Sequence, residues 1–191
     1  DRSIFSRDLP LPSGNPDAGI FEHTVVELCT AVKPYAFRKL LDESNPGDLV
    51  VYLDPDTYVY SDFRTLFDRL ETDPVVVTPH MLAPAINGSE VIDHEISCLK
   101  HGTMNLGFLA VRNVPAGREV IDWWADRLRD YCFDDIPKGI FTDQRWFDLA
   151  VSFFPQVHVF RDPTYNVASW NVSRRTVEGS AKMPTISGAR L

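Results

Sequence analysis

Asp54 and Asp56 are the residues whose types and spacing point most directly to chemistry. They follow Leu49-Val50-Val51-Tyr52-Leu53, a short, mainly aliphatic run that reads as a β-strand buried on both faces. Residues i and i+2 of an extended chain point the same way, so both carboxylates can converge on one point beyond the strand's carboxyl end. Two acids so close repel unless a cation neutralises them. Hard oxygen ligands suit Mg²⁺ or Mn²⁺, which are typically held by one or two carboxylates together with substrate phosphates. The plainer alternative is that Asp54-Pro55-Asp56 is only a turn, because Asp and Pro are common turn formers. A calcium loop of the EF-hand type does not fit. Counted from Asp54, its sixth position is Val59 where glycine is needed and its twelfth is Thr65 where glutamate is needed.

The elements that must position these acids follow from the spacing of apolar residues. Phe21, Val25, Leu28 and Val32 recur at helical spacing, and Pro34 interrupts the helix before Phe37, Leu40 and Leu41 continue an apolar face. Lys33 stands at that break, fixed beside a proline and placed to reach a phosphate; Arg38 and Lys39 read as a solvated helix face. After the acids, Ser61 can cap a helix that buries Phe63, Leu66, Phe67 and Leu70. Pro74 to Thr78 reads as a strand ending at His80, and residues 82–101 read as a long loop able to shape an acceptor site. His80 itself reads as a hydrogen-bonded structural residue.

Leu106 to Val111 forms another buried strand, and Asn105 with Gly107 at its start lets backbone approach a ligand closely. Pro115 opens a helix with Val120, Ile121, Trp124, Leu128 and Tyr131 on one face. Of the adjacent Trp123 and Trp124, one is expected in the core. Thr142 can cap a helix with Asp143 and Gln144 in its first turn, where acids are favoured by the helix dipole alone. A strand from Val157 to Phe160 leads to Tyr165-Asn166, and the chain from Ser180 to Leu191 carries few signals.

At 191 residues the chain can bury one substantial core. A net charge of −8 disfavours nucleic acid and anionic lipid as partners, so an anionic substrate needs a metal or a local basic patch. Cys29, Cys98 and Cys132 have neither disulfide-framework nor zinc-ligand spacing, and no membrane span or signal peptide is visible. These features are those of a cytoplasmic protein. Residues 1–20, rich in Pro and Gly, read as a loop or weakly ordered lead-in; residues 21–191 read as one partial domain, a fragment of a longer protein.

In this order the motifs resemble the nucleotide-sugar glycosyltransferases of the GT-A fold, most closely the retaining galactosyltransferase and glycogenin group, glycosyltransferase family 8. The resemblance rests on Asp54-x-Asp56, Asn105-x-Gly107, Asp143-Gln144 and Tyr165-Asn166, and covers residues 21 to 175. It implies an α/β fold with a mixed, mostly parallel sheet flanked by helices and truncated at both ends. It implies metal-binding by Asp54 and Asp56 and donor contacts from Lys33, Asp54, Asp56, Asn105, Gly107 and Asn166. Asp143 and Gln144 take the sugar side, as the catalytic pair. The expected cofactor is Mn²⁺ or Mg²⁺, the donor a UDP-sugar, and the acceptor a hydroxyl of a glycan, lipid or protein. The group's first strand and a late metal-binding histidine in a His-x-x-Gly setting have no counterpart between Asp1 and Leu191. Two rivals remain: an inactive sugar-nucleotide or glycan-binding module on the same fold, and a haloacid-dehalogenase-like phosphatase. The phosphatase pattern wants Thr or Val two residues after the second Asp, where this chain has Tyr58.

Overall fold

The computed structural model describes residues 3–11, 23–186 and 189–190. Most of the lead-in, and Phe21 after it, lie outside the described residues. Helix α1 (Val25–Ala31) carries a capping box in which Thr24 and Glu27 satisfy each other's backbone amides. Val32 joins it to α2 (Lys33–Glu43), which has Pro34 in its first turn. The apolar face expected of α1 is only partly used, because Val25 is 79% exposed while Leu28 is half-buried. Next come β1 (Leu49–Leu53), α3 (Arg64–Leu70) and β2 (Val75–Pro79). The backbone amide of Arg64 takes Asp62 as its acceptor, so Ser61 is not the cap, and Phe67 points out while Leu66 and Leu70 are buried.

Residues 82–101, expected as a loop, are largely helical instead. One turn (Gly88–Glu90) runs through a π-helical stretch (Val91–Glu95) into α4 (Ile96–His101). The π stretch breaks the 3.6-residue period, which is why no helix is visible in the apolar spacing. Strand β3 (Met104–Arg112) and helix α5 (Pro115–Tyr131) follow as expected, with Trp124 buried and Trp123 half-buried, although Tyr131 is exposed. A two-residue pairing of β4 (Asp134–Asp135) with β5 (Ile140–Phe141) precedes α6 (Trp146–Phe153) and β6 (Val157–Val159). The tail, sparse in signals, forms a small antiparallel sheet of β7 (Val177–Ser180), β8 (Met183–Ile186) and β9 (Ala189–Arg190).

The fold is mixed α/β. The main sheet has the order β1-β3-β2-β6. Strands β1, β2 and β6 share a direction, and β3 runs against them between β1 and β2, so two of the three pairings are antiparallel. The pairing is therefore less parallel than expected, because the excursion before β3 returns the chain down the sheet instead of crossing over it. Leu109 and Val111 of β3 pack with Phe37, Trp124 and Phe147 from α2, α5 and α6, while Phe108 and Ala110 pack with Leu66 and Leu70 of α3. Strand β1 is half-buried throughout rather than buried on both faces, since β3 is its only paired neighbour among the described residues. No described helix is long and apolar enough to cross a membrane.

Candidate functional site

The site begins at a bulge in β3. Val77 pairs with Leu109, but the next residue, Thr78, pairs with Asn105. Leu106, Gly107 and Phe108 thus lie opposite no residue of β2, and the side-chain alternation changes phase: Leu106 joins the same core face as Leu109. Bulges of this kind re-aim side chains and free backbone groups. Here the freed groups are used at once. The Leu106 carbonyl accepts from Lys33 Nζ at 3.1 Å, and the Gly107 amide donates to Asn105 Oδ1 at 2.9 Å.

Against this bulge lies the end of β1. The Asp54 amide donates to the Gly107 carbonyl at 2.8 Å, and the Asp54 carboxylate rests on the glycine itself. A Cβ at Gly107 would come within 2.7 Å of Asp54 Oδ2 and 3.0 Å of Asn105 Oδ1, so the close approach requires glycine. The other carboxylate oxygen, Oδ1, accepts from the Tyr52 hydroxyl at 2.5 Å. Lys33 Nζ lies 3.8 Å from the same oxygen and 4.7 Å from the centre of the Tyr52 ring. Burial, followed by the bond to Asp54, pushes the Tyr52 phenol well above its usual range, so Tyr52 remains a donor.

Lys33 is buried, and its closest charged partner is Asp143 Oδ2 at 2.9 Å, an ion pair that is not aligned as a hydrogen bond. Asp143 is 3% exposed. Burial pushes its carboxyl above the ordinary range, while the Lys33 ammonium and the Thr142 hydroxyl oppose that shift. The turn that presents Asp143 is held at both sides. The Thr142 amide donates to the Phe133 carbonyl with Thr142 at φ 40°, and Trp124 Nε1 donates to the Asp143 carbonyl. Helix α6 starts only at Trp146, so Thr142 is not its cap and Asp143 and Gln144 precede it.

Asp54, Asp56, Asn105, Gly107 and Asn166 line one cavity of about 560 Å³. Its lining also includes Tyr58, Tyr60, Tyr165 and Trp170. Asn105 Nδ2 donates to Asn166 Oδ1 at 2.6 Å, and Asn166, at φ 53°, passes its own amide to the Pro79 carbonyl at 2.8 Å. Buried Asn171 ties this loop to the end of β2 through the Asn166 and His80 carbonyls. The chain from Asn105 through Asn166 to Pro79 thus links the loop after β6 to the ends of β2 and β3.

The structure brings six of the eight expected residues together. Lys33 joins through Asp54, and Asp143 lies beneath as its counter-ion without lining the cavity. Lys33 is thereby engaged by protein groups rather than free to meet a phosphate. Gln144 is elsewhere: its Nε2 donates to the His101 carbonyl at 2.9 Å, and it does not line the cavity. His80 lines a smaller neighbouring cavity of about 210 Å³ beside Trp170. Tyr52 and Asn171 were not singled out by sequence; the i, i+2 spacing of Tyr52 from Asp54 was the available signal. Among the described residues, no group of three or more His, Cys, Asp or Glu side chains is arranged to hold a metal, and the three cysteines are free.

No protein-family model matches this chain, and no solved structure matches it. It is similar to two curated proteins of Bacillus subtilis (strain 168). Uncharacterized protein YfnF is 27% identical over 150 residues, which cover 78% of this chain and 49% of the relative. Uncharacterized protein YfnD is 23% identical over 156 residues, covering 81% of this chain and 48% of the relative. The chain therefore spans about half the length of the curated relatives it matches.

Proposed function

We propose that this chain carries the donor side of a metal-dependent glycosyltransferase site on a GT-A fold, in a protein that moves a sugar from a UDP-sugar to a hydroxyl acceptor with retention. The acceptor class is a glycan, lipid or protein hydroxyl, and free thiols at Cys29, Cys98 and Cys132 suit a reducing cytoplasm. The observation that carries the reading is the seating of Asp54 on Gly107, with Asp56, Asn105 and Asn166 lining the same cavity.

The donor set fits Mn²⁺ or Mg²⁺, since Asp54 and Asp56 offer only oxygen and such cations take their remaining ligands from water and diphosphate. When bound, the cation would offset the negative charge that grows on the departing diphosphate. The chain's own residues do the rest. Tyr52 and Gly107 hold the Asp54 carboxylate; Asn105 and Asn166, bonded to each other, brace the cavity wall; Lys33, secured by Asp143, keeps positive charge behind Asp54. In the reaction the anomeric carbon loses the diphosphate and gains the acceptor oxygen on the same face, and the leaving phosphate takes the hydroxyl proton.

A second reading, a nucleotide-sugar or glycan-binding module without turnover, is favoured by the engagement of Gln144 with His101 and the burial of Asp143 away from the cavity. Calorimetric titration with UDP tests the site that both share. Binding is expected with Mn²⁺, and little without it or in Asp54→Asn with Asp56→Asn. Equal binding in all three overturns the assignment. Hydrolysis of a UDP-sugar in the presence of Mn²⁺ then separates enzyme from module.

A further inference from the structure

We infer that Tyr52 is a positioning residue that makes Asp54 a one-oxygen ligand and thereby selects among divalent cations, an inference that rests on the metal-site reading above. Tyr52 and Asp54 are two residues apart at the end of β1, so their side chains leave the strand on the same side. The hydroxyl donates to Oδ1 at 2.5 Å, and the Lys33 ammonium lies 3.8 Å from that same oxygen. Oδ1 is therefore the oxygen that the protein engages. Oδ2 is the oxygen next to Gly107, which lines the cavity together with Asp54, and glycine leaves no methyl group to displace it. The carboxylate is held by Tyr52 at Oδ1 and set against Gly107 at Oδ2, which leaves Oδ2 as the oxygen without a protein donor.

The distinction matters because cations differ in what they ask of a carboxylate. Mg²⁺ demands near-octahedral geometry and takes carboxylates sparingly, whereas Ca²⁺ takes six to eight oxygens and readily accepts both oxygens of one carboxylate. With one lone pair of Oδ1 taken by Tyr52, the two-oxygen mode is disfavoured. Tyr52 thus disfavours Ca²⁺ at this position and favours the smaller ions, in the way that hydrogen-bond partners of ligands usually orient and tune a metal site. Tyr52 touches neither donor nor acceptor in this scheme; it acts through Asp54.

The test uses the unaltered protein, Tyr52→Phe, Asp54→Asn and the double variant, each with UDP and either Mn²⁺ or Ca²⁺ in calorimetry. In the unaltered protein Mn²⁺ is expected to support UDP binding at least about tenfold better than Ca²⁺. Tyr52→Phe should weaken the Mn²⁺ complex by about tenfold and narrow the gap to Ca²⁺, with its circular dichroism unchanged. In the Asp54→Asn background, Tyr52→Phe should add little, since both changes act on one ligand. Failure of UDP to bind the unaltered protein with Mn²⁺ overturns the donor-site reading and this inference together. Mn²⁺-dependent binding that Tyr52→Phe leaves intact, or that it weakens equally in the Asp54→Asn background, overturns this inference alone. Should Tyr52→Phe not fold, the comparison in the unaltered protein still decides, because equal support by Ca²⁺ and Mn²⁺ overturns it.

Discussion

Lys33 and Asp143 form a buried ion pair, Nζ to Oδ2 at 2.9 Å, between the first turn of α2 and the turn before α6. Removing one partner of such a pair costs about 3–5 kcal/mol, while replacing both with apolar side chains of similar volume is often nearly neutral. Lys33→Met is expected to lose stability in that range by urea denaturation, and Lys33→Met with Asp143→Leu to recover most of it. The deficit should depend on pH with a definite sign. Burial raises the Asp143 carboxyl, so its ionised form is the penalised one, and the folded state holds the proton more tightly than the unfolded state. The loss in Lys33→Met, relative to the unaltered protein, should therefore shrink as pH falls toward the ordinary value of 3.8. A deficit independent of pH would show that Asp143 is not charged there.

Gly107→Ala places a methyl group 2.7 Å from Asp54 Oδ2 and 3.0 Å from Asn105 Oδ1. Overpacking of this kind costs about 1–3 kcal/mol. Because the atom that must give way is the proposed ligand, Mn²⁺-dependent UDP binding should weaken by about tenfold or more. Calorimetry on the variant, beside its melting temperature, checks both effects.

Gln144 has two separable forecasts. Its bond to the His101 carbonyl predicts that Gln144→Ala loses about 1 kcal/mol of stability and leaves UDP-sugar hydrolysis within a few-fold. A fall of several orders of magnitude at unchanged donor affinity would instead place Gln144 at the reacting centre, as the resemblance implies.

Glu27 joins α1 to the chain near β4: Oε1 accepts from the Asp134 amide at 2.8 Å and Oε2 from the Thr24 amide at 2.7 Å. The Asp134 amide, followed by the Thr24 amide, holds its carboxyl below the ordinary 4.5. A lowered carboxyl stabilises the fold above the unfolded-state value and loses that contribution as pH falls through the folded one. Glu27→Gln should therefore flatten the loss of stability on acidification below about pH 4.5, while costing about 1–2 kcal/mol at neutral pH. Urea midpoints across that range give the answer.

Much of this arrangement was legible in the sequence, and the rest has identifiable reasons for staying hidden. Asp54, Asp56, Asn105, Gly107 and Asn166 were found because each sits at the end of an apolar run or beside a turn residue, where chemistry interrupts pattern. Lys33 and Asp143 were each singled out but not as partners, because a pairing so distant in sequence leaves no periodic trace. Tyr52 was taken as one more strand former, since aromatic residues are common in strands and its hydroxyl has no sequence signature. The expected cap at Thr142 failed for a related reason. Cap chemistry is local, whereas Thr142 is held by the Phe133 carbonyl and its neighbour Asp143 by Lys33. The bulge was hidden because Leu106, Phe108 and Leu109 are all apolar, so a change of phase leaves the run looking continuous.

That bulge makes the site a matter of counting. Three residues of β3 are looped out opposite one step of β2, and Gly107, the middle one, is the residue set against Asp54. Shifting a strand by one residue turns every side chain to the opposite face. With residues 108 to 112 held in register by β1, deleting Gly107 or Phe108 would bring Leu106 against the Asp54 carboxylate, and adding one residue between Phe108 and Arg112 would bring Phe108 there, without altering any polar residue of the site. Length changes in the exposed turn at Ile86 to Ser89, where the chain has no sheet register to keep, carry no such penalty. Variants of this protein should therefore tolerate insertions there and none between Phe108 and Arg112, however conservative the residue added.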